Sequence, residues 1–187
     1  MSITGYEILL IILLILANGF FAMSEMAMIS ARKIRLQQHA DGGNAGARAA
    51  LELVEVPNRF LSTVQIGVSL ISILTGALGG AALARPLAAF LQQAPFLAPY
   101  ANALALVLVV LVTAYFSLVM GELIPKRLGL NNPERIAATV GRPMQVISRL
   151  AAPFVHILSL STDLGLRLLG AKPSTEPPVG RPCWKLL

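Results

Sequence analysis

Residues 101–120 form an almost unbroken apolar run, and two further runs, 3–31 and 60–83, are nearly as apolar. About 20 residues of helix, rising ~1.5 Å each, cross the ~30 Å hydrocarbon core of a bilayer. In lipid every backbone polar group must be satisfied internally, so runs of this kind specify spanning helices. Composition points the same way: of 187 residues, 56% are hydrophobic and 13% charged, with a mean hydropathy of +0.72. The expected fold is an all-α membrane protein with three transmembrane helices, about 3–31, 58–83 and 100–122. The first run lacks a basic leader and outlasts any signal-peptide core, so it is read as a true span. Cys183 is the single cysteine, which excludes an internal disulfide and a cysteine metal cluster.

The net charge of +6 is unevenly placed. No Lys or Arg precedes or interrupts the first run. Arg32, Lys33, Arg35, Arg48 and Arg59 fall between the first two runs, Arg85 alone between the second and third, and the rest follow the third. By the positive-inside rule the N-terminus is expected outside, with the first connection and the C-terminus cytoplasmic, in a multi-pass inner or plasma membrane protein. The basic excess sets topology and meets anionic headgroups. It lacks the interleaved aromatics of a nucleic-acid surface, so no nucleic acid partner is expected.

Asp41-Gly42-Gly43-Asn44 breaks the first connection into two helices. Pro57 suits the start of the second span, which should close near Gly79-Gly80. Asn132-Pro133-Glu134 is a helix start, followed over 132–170 by moderately apolar helices punctuated by Pro143 and Pro153. Arg149, His156, Asp163 and Arg167 favour amphipathic juxtamembrane helices forming a cytoplasmic-side belt, with a fourth span over 144–169 as the alternative. Residues 1–170 make one transport domain. The stretch 171–187, with Pro173, Pro177, Pro178 and Pro182, reads as a linker or truncated tail.

Each span carries a polar stripe. Asn18 and Glu25 lie two turns apart on the first, with Ser24 flanking. Ser62, Gln65, Ser69 and Ser72 occupy an arc of about 80° on the second, continued by Gly76 and Gly79. Thr113, Ser117 and Gly121 follow on the third, with Glu122 adjoining. Small and hydroxyl residues at such spacing also serve as helix-packing surfaces. Packing does not account for Glu25 and Glu122, because a mid-helix carboxylate costs ~2.5–3.5 kcal/mol to insert and no Lys or Arg lies within the spans. A bound cation, a proton or nearness to the cytoplasmic interface must compensate. Pro125 lacks the N–H that would bond the Gly121 carbonyl, and so frees it beside Glu122. A carboxylate, a free carbonyl and serine hydroxyls from two other helices make an all-oxygen set suited to Mg²⁺ or Na⁺ rather than to a softer metal. His39 and His156 fall outside the spans, which argues against an intramembrane enzyme.

Asn18-Gly19-Phe20-Phe21-Ala22-Met23-Ser24-Glu25, Gln65-Ile66-Gly67-Val68-Ser69 and Gly121-Glu122-Leu123-Ile124-Pro125-Lys126 together resemble the CorC/CNNM family of magnesium transporters. The resemblance covers about 3–170, the family's transmembrane domain. It implies three membrane helices, a juxtamembrane belt, a homodimer, and Mg²⁺ export coupled to Na⁺ influx. It further implies that Ser24, Ser69 and Glu122 supply side-chain oxygens and Gly121 a main-chain oxygen, with Glu25 and Asn18 as secondary candidates. Family members usually continue into cytosolic CBS domains, which this sequence does not contain. The competing expectation is a Mg²⁺ sensor that regulates other transporters without moving ions itself.

Overall fold

The computed structural model describes residues 3–168, without the side chains of Ile3, Thr4, Asp163, Arg167 and Leu168. The linker expected at 171–187 lies outside them. Among the described residues the regular structure is entirely helical: α1 (Ile3–Ser30), α2 (Lys33–Asp41), α3 (Ala45–Glu55), α4 (Pro57–Leu91), a 3₁₀ turn (Ala98–Tyr100), α5 (Ala101–Leu118), a π-helical turn (Val119–Leu123), α6 (Ile124–Asn131) and α7 (Pro133–Leu168).

Four helical stretches are long and apolar enough to cross a membrane: Gly5–Ser30, Pro57–Leu91, Ala98–Asn131 and Pro133–Leu166. The chain is therefore a multi-pass helical membrane protein, and α7 joins the three expected candidates. Leu, Ile, Val and Phe side chains project outward along α1, α4 and α5, with Leu13, Ile73, Val107 and Leu111 all more than half exposed. Hydrocarbon, not water, suits that surface.

The spans extend further than the sequence suggests. α4 passes through Gly79-Gly80 and over Pro86, ending at Leu91 instead of near 83. The third stretch continues through Pro125 to Asn131. Likewise 133–168 is one continuous helix with Pro143 and Pro153 inside it, where several shorter helices are expected. A proline removes one backbone bond, and helices supported by neighbours absorb that loss without ending.

Short helices close one end of the bundle. Gly43, at φ 85°, makes the turn that only a residue without Cβ enters freely. Asn44 then caps α3, its side-chain oxygen accepting from the N–H groups of Gly46 (2.9 Å) and Ala47 (3.1 Å). Leu36, Ala47, Leu53, Phe60, Val64, Val140 and Met144 form a core joining the end of α1 to α2, α3, α4 and α7. The α3–α7 crossing is closest at Gly46 and Gly141, where an added Cβ would collide with the carbonyls of Ala138 and Gly46 respectively. Gln145 of α7 donates its side-chain amide to Glu52 of α3.

Candidate functional site

The chemistry centres on the π turn at Val119–Leu123. There the N–H of Ile124 reaches back five residues to the Val119 carbonyl, widening the helix by one residue. The α-helical partner of the Gly121 carbonyl would be the N–H of residue 125, which proline lacks. Asn18 of α1 supplies the missing donor, its Nδ2 lying 3.0 Å from Gly121 O. The approach is close: a Cβ on Gly121 would sit 3.2 Å from Asn18 Nδ2 and 3.3 Å from the Ile15 carbonyl. Pro125 Cγ likewise presses on Gly19, where a Cβ would meet it at 2.9 Å.

Asn18 is 3% exposed, and its Oδ1 is the one buried side-chain N or O atom without a hydrogen-bond partner among the described residues. Leaving such an acceptor unmet costs about 1–3 kcal/mol. Asn18 lines a cleft of about 290 Å³ together with Ser72, Thr75 and Gly76 of α4, Thr113 and Ser117 of α5, and Glu122. The rest of the wall is apolar, with Val110 and Leu118 among its residues. The Glu122 carboxylate does not stand alone, contrary to expectation. Lys126 Nζ, one turn on, donates to Glu122 Oε1 at 2.6 Å.

The predicted residues thus divide. Asn18, Gly121 and Glu122 come together at the π turn. Ser24 is fully buried on α1 and donates to the Phe20 carbonyl at 2.7 Å, which leaves its oxygen able to accept or ligate. Glu25 is half-buried, and Ser69 is exposed on α4; neither lines the cleft. The α4 stripe splits, with Ser72 and Gly76 facing the cleft while Ser62 and Gln65 face Val155 and Leu158 of α7. Thr75 and Lys126 were not anticipated. Thr75 lies outside the stripe, but the four-residue spacing of Glu122 and Lys126 is a readable ion-pair signal. Among the described residues no group of three or more His, Cys, Asp or Glu side chains gathers to hold a metal. A cation here would depend on hydroxyl, amide and carbonyl oxygens beside one carboxylate.

Long apolar helices around a cleft that holds one carboxylate and a broken helix bond define a membrane protein of the transport-related kind. The Cyclin M transmembrane N-terminal domain (CNNM) matches residues 9–182, and the chain belongs to this family. It is 50% identical over 173 residues to the UPF0053 protein sll0260 of Synechocystis, covering 92% of this chain and 39% of that protein. It is 36% identical over 162 residues to a polyamine export protein of Escherichia coli, covering 87% of this chain and 36% of that one. An uncharacterized protein of Mycobacterium tuberculosis, MT1889, is 36% identical over 169 residues, 90% of this chain and 48% of that protein. The chain thus spans less than half the length of these relatives.

Proposed function

We propose that this chain is the membrane-embedded part of a Mg²⁺ exporter driven by Na⁺ influx. The observation that carries the reading is the Glu122 carboxylate, carried on a π turn before a proline and opening on a cleft walled by α4 and α5. Irregular backbone at membrane depth is tolerated where it lines a binding site. Mg²⁺ requires about six oxygens in near-octahedral array and gives up its water reluctantly. Glu122, the unmet Asn18 Oδ1, and the hydroxyls of Ser72 and Ser117 are at the cleft. Ser24, Ser69 and the Gly121 carbonyl complete the set that membership of the family suggests, with Glu25 held in reserve. A rocking of α4 and α5 against α1 would break this set and release the ion outward. Each Na⁺ entering would contribute about 2.3 kcal/mol per 100 mV.

In this reading α1, α4 and the α5–α6 stretch are the three spans, and α7 is a juxtamembrane belt. The distribution of Lys and Arg favours a cytoplasmic α2–α3 end and an external N-terminus. The functional unit is a homodimer in an inner or plasma membrane, with cytosolic CBS domains in the longer protein.

A second reading has its own support. Glu122 is seen accepting a primary ammonium, that of Lys126, and the cleft wall is largely apolar. An elongated organic polycation has matching chemistry, and the Escherichia coli relative is named a polyamine export protein. Calorimetric titration of the purified chain with Mg²⁺ alone, and again in the presence of spermidine, separates the two. Mg²⁺ binding that is lost in Glu122→Gln and indifferent to spermidine fits the ion reading. Spermidine binding that depends on Glu122, without Mg²⁺ binding, replaces it.

A further inference from the structure

Building on Glu122 as the cargo carboxylate, we propose that Lys126 is its resident counter-ion: cargo enters by displacing the ammonium, and the returning ammonium helps expel it. The pair is short, 2.6 Å, and spaced i to i+4. Both side chains are about two-thirds covered, with relative exposures of 33% for Lys126 and 37% for Glu122. Within 4 Å of Glu122 the structure records no other basic side chain among the described residues.

Two of the oxygens that would hold a cation are engaged within the chain in this state. Lys126 occupies the carboxylate, and Asn18 Nδ2 occupies the Gly121 carbonyl. The buried acceptor left over is Asn18 Oδ1. A divalent ion on Glu122 cannot share the site with an ammonium at that distance. Two cations a few ångströms apart repel one another, and more strongly in a half-buried site than in water. Lysine suits displacement because its charge sits on a flexible four-carbon stem that can swing to the membrane interface. At position 126 the stem starts inside the first turn of α6, next to Arg127 and near the end of the apolar stretch.

The arrangement also explains how a carboxylate persists at the cleft between transport cycles. Unpaired, it would stand partly covered with no counter-charge beside it. Paired, it keeps a counter-charge at 2.6 Å, and the lysine lowers affinity enough for cargo to leave. Lys126 on this account is a tethered competitor that sets affinity and release, not a ligand.

The test measures Mg²⁺ binding to the full chain as wild type, Lys126→Gln, Lys126→Arg and Glu122→Gln, each confirmed folded by its thermal melt in detergent. Lys126→Gln should bind Mg²⁺ about tenfold more tightly, the scale of removing one close like charge. Lys126→Arg should stay near wild type, and Glu122→Gln should lose binding. A measurement on the wild type needs no variant: the rate at which an amine-reactive ester acylates Lys126, read by mass spectrometry. Saturating Mg²⁺ should raise that rate by freeing the ammonium, and the rise should vanish in Glu122→Gln. Weaker Mg²⁺ binding in Lys126→Gln, or acylation that Mg²⁺ slows or leaves unchanged, would overturn the competitor role while leaving Glu122 as the cargo site. Undiminished Mg²⁺ binding in Glu122→Gln would overturn the site itself, and this inference with it.

Discussion

The side-chain amide of Asn18 bonds the carbonyl of Gly121 across 103 residues of sequence, at 3.0 Å and in a buried setting. It takes the place of the backbone donor that Pro125 lacks, and so ties α1 to the π turn that carries Glu122. Removing the amide should therefore loosen both packing and site. Asn18→Leu is expected to destabilise the protein by about 1–3 kcal/mol, the cost of a buried unmet carbonyl. It should also weaken Mg²⁺ binding. Thermal unfolding in detergent and calorimetry on the same sample check the two together, and a variant that changes neither would sever the link.

Pro125→Ala tests the origin of the π turn. An N–H at position 125 could close the α-helical bond to Gly121 O and compete with Asn18 for that carbonyl. Mg²⁺ affinity should fall while thermal stability holds or rises. Unchanged affinity would mean that the proline does not shape the site.

Glycine at 121 is required by close approach, which Gly76 allows to be shown by contrast. A Cβ at 121 meets Asn18 Nδ2 at 3.2 Å and the Ile15 carbonyl at 3.3 Å, whereas one at 76 meets nothing within 4 Å. Gly121→Ala should cost about 1–3 kcal/mol through overpacking. Gly76→Ala should be neutral or stabilising by up to ~1 kcal/mol, through helix propensity alone. Equal effects in denaturation experiments would refute the close α1 contact.

Ser69 provides a graded test of the ligand set. It is exposed on α4 and does not line the cleft, so it can reach cargo only if α4 moves or a different state forms. Ser69→Ala should reduce Mg²⁺ affinity less than Glu122→Gln does, because a neutral oxygen contributes less than a charged one. A larger loss in Ser69→Ala would shift the centre of the site onto α4.

Hydropathy made the helix interiors legible: the apolar runs at 60–83 and 101–120 lie within long helical stretches, and the run at 3–31 ends one residue past α1. Helix ends were harder, because Gly79-Gly80, Pro125, Pro143 and Pro153 read as stops or breaks yet sit inside continuous helical stretches. Neighbouring helices and a π turn re-satisfy the backbone there, which is a tertiary effect that local sequence cannot display. Glu122 and Gly121 stood out as a carboxylate and a freed carbonyl at the end of an apolar run. Lys126 was visible at four residues' spacing, but treating the span as finished before Pro125 left it outside the site. Asn18 fell on the right face of α1, while its hold on Gly121 depends on how two distant helices cross.

The most direct measurement is Mg²⁺ flux into or out of liposomes that contain only the purified chain, followed with an enclosed dye, with and without a Na⁺ gradient. The wild type should show flux that the Na⁺ gradient drives, and Glu122→Gln should abolish it. Flux that persists in Glu122→Gln, or a folded, Mg²⁺-binding wild type that moves no Mg²⁺ under any gradient, would contradict it.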